Sequence, residues 1–332
     1  MPEIVASGKF NWMGGEAMKL SVGKLAISIS VAVAFAVIAF LNLRLKGRSV
    51  EFLTEHTDAV DMQPSFSPDG KTLAFVRFKE LVLLDLSTRS VKKVRTKGLF
   101  GIAHPAWSPD GKKLAFSAFH SRSYRNDGGG AHLIVMDLKT LEWKCLTPGS
   151  DFNTRPSWSP DGKKLAFTKL SMQGASICVY DFQRKQLQKL GLQWGRSPSW
   201  SPDGKTIAFI SSRTKSPDVW LIDANGQNLR PLFEDERTDE DMPCWTVDGK
   251  FVVFSRQTAL ASGPKKRDLW AVKLADKTAF QLTECPQNWW AMTPSASPDG
   301  KSLVFALRRS DHSVICRIFV DWNKIKPQRL GW

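Results

Sequence analysis

The sequence predicts an all-β chain, a six-bladed β-propeller of four-stranded antiparallel blades, preceded by one transmembrane or signal-anchor helix. Three observations carry this: an eight-residue motif occurs six times, an uncharged apolar run precedes the first copy, and 13 Trp stand against only 2 Tyr. Length alone, 332 residues, suggests about two domains. A composition of 42% hydrophobic and 24% charged residues excludes a mainly disordered chain, a collagen-like repeat and a disulfide scaffold. The net charge of +15 invites a polyanionic surface as partner.

The motif begins as Pro64-Ser-Phe-Ser-Pro-Asp-Gly-Lys71 and returns at Pro105–Lys112, Pro156–Lys163 and Pro198–Lys205. A degraded copy, Pro243-Cys-Trp-Thr-Val-Asp-Gly-Lys250, precedes the last one at Pro294–Lys301. The motif aspartates at 69, 110, 161, 203, 248 and 299 give a mean period of 46 residues. Pro-x-Trp-Ser reads as a short strand. Pro-Asp-Gly reads as a tight turn, because Pro presets φ, Asp tolerates the bridge region and Gly takes the position after it. Second strands follow at 72–76, 113–117, 164–168, 206–211, 251–255 and 302–306, rich in Leu, Ala, Phe and Val. Third strands end on Asp at 81–85, 133–137, 177–181, 219–223 and 317–321, and hairpins lead to fourth strands such as 143–147 and 280–283. Asn225-Gly226 is a strong hairpin signal. Four antiparallel strands per repeat of this length describe propeller blades, which must pack on one another because no single blade buries both of its faces. Trp107, Trp158, Trp200 and Trp245 share one repeat position, where an aromatic fills the gap between blades.

Leu25–Leu43 carries no charge, with Lys19 and Lys24 before it and Arg44, Lys46 and Arg48 after it. Nineteen helical residues span roughly 28 Å, close to the thickness of a bilayer core. The expected division is a flank over 1–24, a transmembrane anchor or signal peptide over 25–43, a linker over 44–49 and the propeller over 50–332. Met18 is an alternative start, and an uncleaved anchor is preferred because cleavage after Ala39 would bisect the apolar run. Lysines and arginines balance across the run, so the positive-inside rule gives no orientation.

The pattern Pro-x-Trp-Ser-Pro-Asp-Gly-Lys-x-Leu-Ala-Phe, followed by an apolar strand ending in Asp, resembles the WD40-like propeller repeats of the TolB family over about residues 50–332. That resemblance implies a six-bladed propeller and a protein-binding role in the bacterial cell envelope. An inner-membrane, single-pass location with the propeller on the periplasmic side is the expectation, and the cytoplasmic side is the alternative. TolB proper carries an α/β domain ahead of its propeller, where this chain has its apolar run. Similar repeats occur in propellers fused to peptidases and in oligogalacturonate lyases, so the fold alone does not assign a function.

No catalytic constellation stands out. There is no Gly-x-Ser-x-Gly elbow and no Gly-x-x-x-x-Gly-Lys loop, and Gly128-Gly129-Gly130 reads as a flexible tip. The histidines at 56, 104, 120, 132 and 312 show no metal-ligand spacing. The lyase resemblance implies a His-rich channel site, and His104 is the one histidine preceding a repeat proline. Neither an enzyme nor a cofactor is expected. The cysteines at 145, 178, 244, 285 and 316 have no pairing logic and read as free thiols.

Propeller topology sorts the loops onto two faces. One face takes the six Asp-Gly-Lys turns and the basic third-to-fourth hairpins, with Arg89, Lys92, Lys93, Lys139, Arg184, Lys185, Lys324 and Lys326 as membrane-facing candidates. The other takes the acidic connection 234–241 with Glu55, Asp58 and Asp61. On that face the residues before each repeat proline, Gln63, His104, Arg155, Ser197, Met242 and Thr293, are expected to ring the channel mouth. Trp289 and Trp290 are candidate contact residues in a long connection, or else fold back over the last blades. Val50–Thr54 and Pro327–Leu330 both resemble a fourth strand, and either could complete the last blade. The expected partners are proteins of a membrane complex and an anionic membrane surface. A small-molecule or glycan binder and a nucleic-acid binder are the alternatives, the last being disfavoured because the basic residues lack interleaved aromatics.

Overall fold

The computed structural model describes residues 50–54, 59–120, 129–190, 194–258, 266–310 and 312–327. The flank, the apolar run and the linker over 1–49 lie outside these residues, as do Glu55 and Asp58. No helix among the described residues is long and apolar enough to cross a membrane. Among the described residues every regular element is a β-strand.

After β1 (Val50–Phe52) come four separate four-stranded antiparallel sheets. They are β2 (Asp61–Phe66) to β5 (Val91–Lys93) through β3 (Thr72–Arg77) and β4 (Glu80–Asp85), and β6 (Leu99–Trp107) to β9 (Trp143–Cys145) through β7 (Lys113–His120) and β8 (His132–Asp137). The third is β10 (Phe152–Trp158), β11 (Lys164–Ser171), β12 (Gly174–Asp181) and β13 (Gln186–Lys189). The fourth is β14 (Gly195–Trp200), β15 (Thr206–Ser211), β16 (Asp218–Asp223) and β17 (Arg230–Phe233). The remaining strands are β18 (Thr238–Trp245), β19 (Phe251–Thr258), β20 (Arg267–Lys273), β21 (Ala279–Gln281), β22 (Trp290–Ala296), β23 (Ser302–Arg309) and β24 (His312–Phe319). With β1 they form one eight-stranded sheet, not two separate blades, because a parallel pair between Arg267 and Trp290 joins β20 to β22. The expected six separate sheets are thus four, plus one of double width.

Of the two candidate closing strands, β1 is the one that pairs with β24, with Val50 opposite Ile318 and Phe52 opposite Cys316. Strand β24 ends at Phe319, two residues before the expected Asp321; of the other candidate only Pro327 is described, outside any strand, and 328–330 lie outside the described residues. Antiparallel pairing puts the start of β1 on the face of the Asp-Gly-Lys turns. Glu51 then accepts hydrogen bonds from Arg89 of the β4–β5 hairpin and from Arg317 of β24, tying the last sheet to the first.

The repeat explains the packing. Phe75, Phe116, Phe167, Phe209, Phe254 and Phe305, one per second strand, are all fully buried. Trp107 donates to the Ser65 carbonyl at 3.1 Å, Trp158 to Ala106 at 3.2 Å and Trp245 to Ser199 at 3.0 Å, each reaching the preceding sheet. In every turn the Ser or Thr hydroxyl donates to the motif Asp at 2.5–2.7 Å, and the Lys backbone N–H donates to the same oxygen at 3.0–3.1 Å. The motif aspartates are therefore turn locks, and these bonds hold Asp69, Asp110 and Asp203 below the usual carboxylate range. The turns also stack in a ring. A Cβ on Gly111 would meet Pro68 at 3.8 Å, and one on Gly70 would meet Pro298 at 3.6 Å, which closes the circle.

Candidate functional site

The innermost strand of each repeat carries a bulge at the proline, between Met62 and Ser65, Ala103 and Ala106, Thr154 and Ser157, Arg196 and Ser199, Asp241 and Cys244, and Met292 and Ser295. The residue before the proline takes a left-handed backbone in all six copies, with φ from +53° at Thr293 to +59° at Gln63. A residue before proline ordinarily prefers extended backbone, and a β-branched one at positive φ is a marked outlier. The bulge turns this position out of the ladder and toward the axis. Gln63, His104, Arg155, Ser197, Met242 and Thr293, with the prolines that follow them, line one cavity of about 140 Å³.

Hydrogen bonds run around this cavity from sheet to sheet. The His104 backbone N–H donates to Gln63 Oε1 at 2.7 Å, and His104 Nδ1 is hydrogen-bonded with Thr154 Oγ1 at 2.9 Å. Arg155 donates to Ser197 Oγ and, at 2.8 Å, to Asp241 Oδ1. Arg196 Nε lies 3.7 Å from the same Asp241 oxygen. Burial pushes the Asp241 carboxyl up, but the Arg155 and Arg196 guanidinium groups outweigh it and hold it at about 2. Burial, aided by the nearby Arg155 charge and opposed by Asp241, pushes His104 down to about 3. Near neutral pH the site is therefore a neutral histidine beside an ionised arginine–aspartate cluster. Among the described residues no group of three or more His, Cys, Asp or Glu side chains could hold a metal ion.

Asp241 and Arg196 were not among the candidates. Both occupy the residue two before the proline, where the other repeats have Met62, Ala103, Thr154 and Met292. Charge at that repeat position was the available signal. It was obscured because 234–241 reads as one acidic connection. In the structure β18 already begins at Thr238, and Glu240 is fully buried. Glu240 accepts from Thr238 Oγ1 at 2.7 Å and lies 3.5 Å from Arg256, whose guanidinium sits 4.5 Å from the centre of the Trp270 ring. Burial pushes Glu240 up to about 8, against the opposing Thr238 hydroxyl and Arg256 charge. Asp61 is likewise not a surface acid: it is fully buried and bidentate with Arg77 at 2.7 Å.

Trp289 and Trp290 are half-buried, with Arg309 5.6 Å from the first ring and Arg308 5.8 Å from the second. All eight membrane-facing candidates are exposed. Lys93 reaches toward the opposite end of its sheet, however, and pairs with Glu80 at 2.5 Å. Lys324 pairs with Asp321 at 3.1 Å. Cys178, Cys285 and Cys316 are buried, Cys145 and Cys244 are half-buried, and all five are free thiols.

Among curated proteins, the chain is 28% identical over 182 residues to the Tol-Pal system protein TolB of Francisella tularensis subsp. mediasiatica, a match covering 54% of this chain and 40% of that protein. Among solved structures, one from Agrobacterium tumefaciens provisionally named TolB aligns with a TM-score of 0.67 at 21% identity, covering 84% of this chain and 96% of the other. An oligogalacturonate lyase from Vibrio parahaemolyticus aligns with a TM-score of 0.53 at 17% identity, covering 82% and 94%. Identities this low show a shared fold alone. The family described as the TolB beta propeller domain matches residues 45–169 and 123–327, nearly the whole region in which the six turns close their ring, and the chain belongs to that family.

Proposed function

We propose that this chain is a non-catalytic, membrane-anchored scaffold, a six-bladed propeller that binds other proteins of an inner-membrane complex on the periplasmic side. In this reading the eight-stranded sheet counts as two blades, β18–β21 and β22–β24 with β1, joined by the single Arg267–Trp290 pair. The observation that carries the reading is the state of the channel site. Its cavity of about 140 Å³ is smaller than the roughly 300–1,000 Å³ of a typical small-molecule pocket, and Arg155 and Asp241 are already committed to each other. A small centre whose charges are already paired suits a rigid scaffold better than a substrate pocket.

The start of β1 supports the anchored orientation. It lies on the turn face together with Lys92, Lys139, Arg184 and Lys185, six residues beyond the apolar run. That face would sit against anionic headgroups, each basic side chain contributing on the order of 1 kcal/mol. Affinity purification of the full chain in mild detergent, with intact-mass measurement of the recovered polypeptide, tests the reading. Stoichiometric protein partners on an uncleaved chain are expected. A chain recovered alone, or one bearing a bound sugar, would overturn it.

A further inference from the structure

The face opposite the start of β1 carries an arc of exposed apolar residues across the first four sheets. Phe78, Phe100, Phe152, Leu170, Met172 and Trp194 are all exposed, with Trp194 at 56% and Phe78 at 59%. The arc is built, not scattered. The turn holding Phe78 and Lys79 is anchored to the next sheet by the Ile102 backbone N–H donating to the Lys79 carbonyl at 3.0 Å. In that next sheet Phe100 stacks on Phe119 with ring centroids 5.6 Å apart, and Phe119 meets Phe152 of the third sheet edge-on at 6.1 Å. Gly101 makes this stack possible, since a Cβ there would lie 2.7 Å from the Phe119 ring. Phe152 stands opposite Leu170, and Trp194 lies over Gly174 with its backbone N–H donating to Ala175 at 2.8 Å.

Two members are held outward by unfavourable backbone. Phe78 has φ +49° and Lys79 +65°, in a two-residue turn where Asn-Gly would be the unstrained choice, and Trp194 has φ +64°. Strain that persists at exposed aromatic residues is a pointer to function. Val91 and Leu187, by contrast, lie on the outer strands β5 and β13.

We infer that this arc is a docking surface for a protein segment that presents a continuous apolar stripe bordered by acidic side chains. Aromatic residues and Met are the types enriched where proteins meet. The border charges select the sign of the partner. Among the described turns and connections of the arc, the acids Glu80 and Asp151 are already paired with Lys93 and Lys169, while Lys79, Arg95 and Lys97 are exposed cations without an ion pair. The choice of protein over lipid rests on the anchored reading above. In that reading the bilayer lies against the turn face, and eight-residue strands such as β11 and β12 set the arc about 27 Å away from it.

The test uses the full chain in phosphatidylcholine nanodiscs and a fluorescent synthetic helix of repeated Glu-Leu-Glu-Glu-Leu-Leu-Glu heptads, read by anisotropy. Saturable binding is expected, weakened at least tenfold by Phe100→Ser/Phe152→Ser/Trp194→Ser and at least tenfold when every Glu of the peptide is Lys. Should the triple variant melt early, Lys79→Glu/Lys97→Glu leaves the apolar residues intact and should weaken binding about fivefold. Equal binding by the lysine peptide, by empty nanodiscs or by a folded arc variant would overturn the proposal. If partners purified from cells persist undiminished on the triple variant, the arc fails while the scaffold reading stands; if no partner is recovered on either chain, the scaffold reading itself fails.

Discussion

Arg155 of β10 donates to Asp241 of β18 at 2.8 Å, and Ser197 of β14 takes part in the same cluster, so one guanidinium links three successive sheets at the centre of the ring. Removing Arg155 leaves the largely buried Asp241 carboxylate with Arg196 alone, 3.7 Å away. Arg155→Met should therefore lower unfolding stability by about 3 kcal/mol in a denaturant titration. Arg155→Met/Asp241→Leu should recover at least half of that loss. A double variant as unstable as the two single losses combined would show that the residues do not act as a pair.

His104 gives the site an acid-sensitive component. Its folded form takes up a proton only near pH 3, whereas an unfolded histidine does so near 6.5. Between those values the unfolded chain binds more protons, so stability falls as pH is lowered through that window. His104→Gln should flatten the stability profile between pH 6.5 and 4 relative to the parent chain. Parallel profiles would mean that His104 does not titrate differently on folding.

Glu240 acts in the opposite direction. Its folded form holds a proton up to about pH 8, while its unfolded form releases it near 4.5, so the folded chain binds more protons between those values. Stability contributed by the protonated group is lost as pH rises through that window. Glu240→Gln keeps the hydrogen bond to Thr238 and should remove this component. The variant should gain on the parent progressively from pH 5 to 8.5, as read by melting temperature, and a constant difference would contradict the assignment.

The turn face supplies a binding prediction. Reversing Lys92, Lys139, Arg184 and Lys185 to Glu should weaken sedimentation of the propeller with phosphatidylglycerol vesicles at least tenfold at low salt, since each cation contributes on the order of 1 kcal/mol near an anionic surface. Lys93 is left out because it is engaged with Glu80 at the far end of its sheet. Unchanged sedimentation would make these residues a solvated rim.

Ring closure can be probed at Glu51, which receives both Arg89 and Arg317. Glu51→Arg places a third cation between two others and removes the tie from the last sheet to the first. A loss of about 1–2 kcal/mol is expected, because the group is partly exposed and exposed pairs are individually weak. An unchanged denaturation midpoint would show that the β1 backbone pairing alone closes the ring.

Much of the scaffold was legible in the chain. Pro-Asp-Gly dictates a turn by local stereochemistry, and the regular return of Leu-Ala-Phe and Trp places the buried aromatics without reference to any distant residue. The misread positions have one physical cause. Asp61, Glu240 and Asp241 look like surface acids because acidity is a property of the residue, whereas burial beside Arg77, Arg256 or Arg155 depends on partners 15 or more positions away. The left-handed backbone before each proline was equally hidden, since proline itself favours extended backbone at the preceding residue.

The 46-residue period and its six turns determined a repeated unit of antiparallel strands, and composition determined a strongly basic chain. The tertiary structure decided that Val50–Phe52 meets the edge of β24, which the likeness of both terminal stretches to a fourth strand left open. It also decided where apolar surface stays open. The tryptophan pair that stood out in sequence lies beneath Arg308 and Arg309, while Phe119 and Phe152, 33 positions apart, meet at the joint between two sheets. A repeat fixes what every copy shares, and the contacts between neighbouring copies depend on residues that the linear order does not bring together.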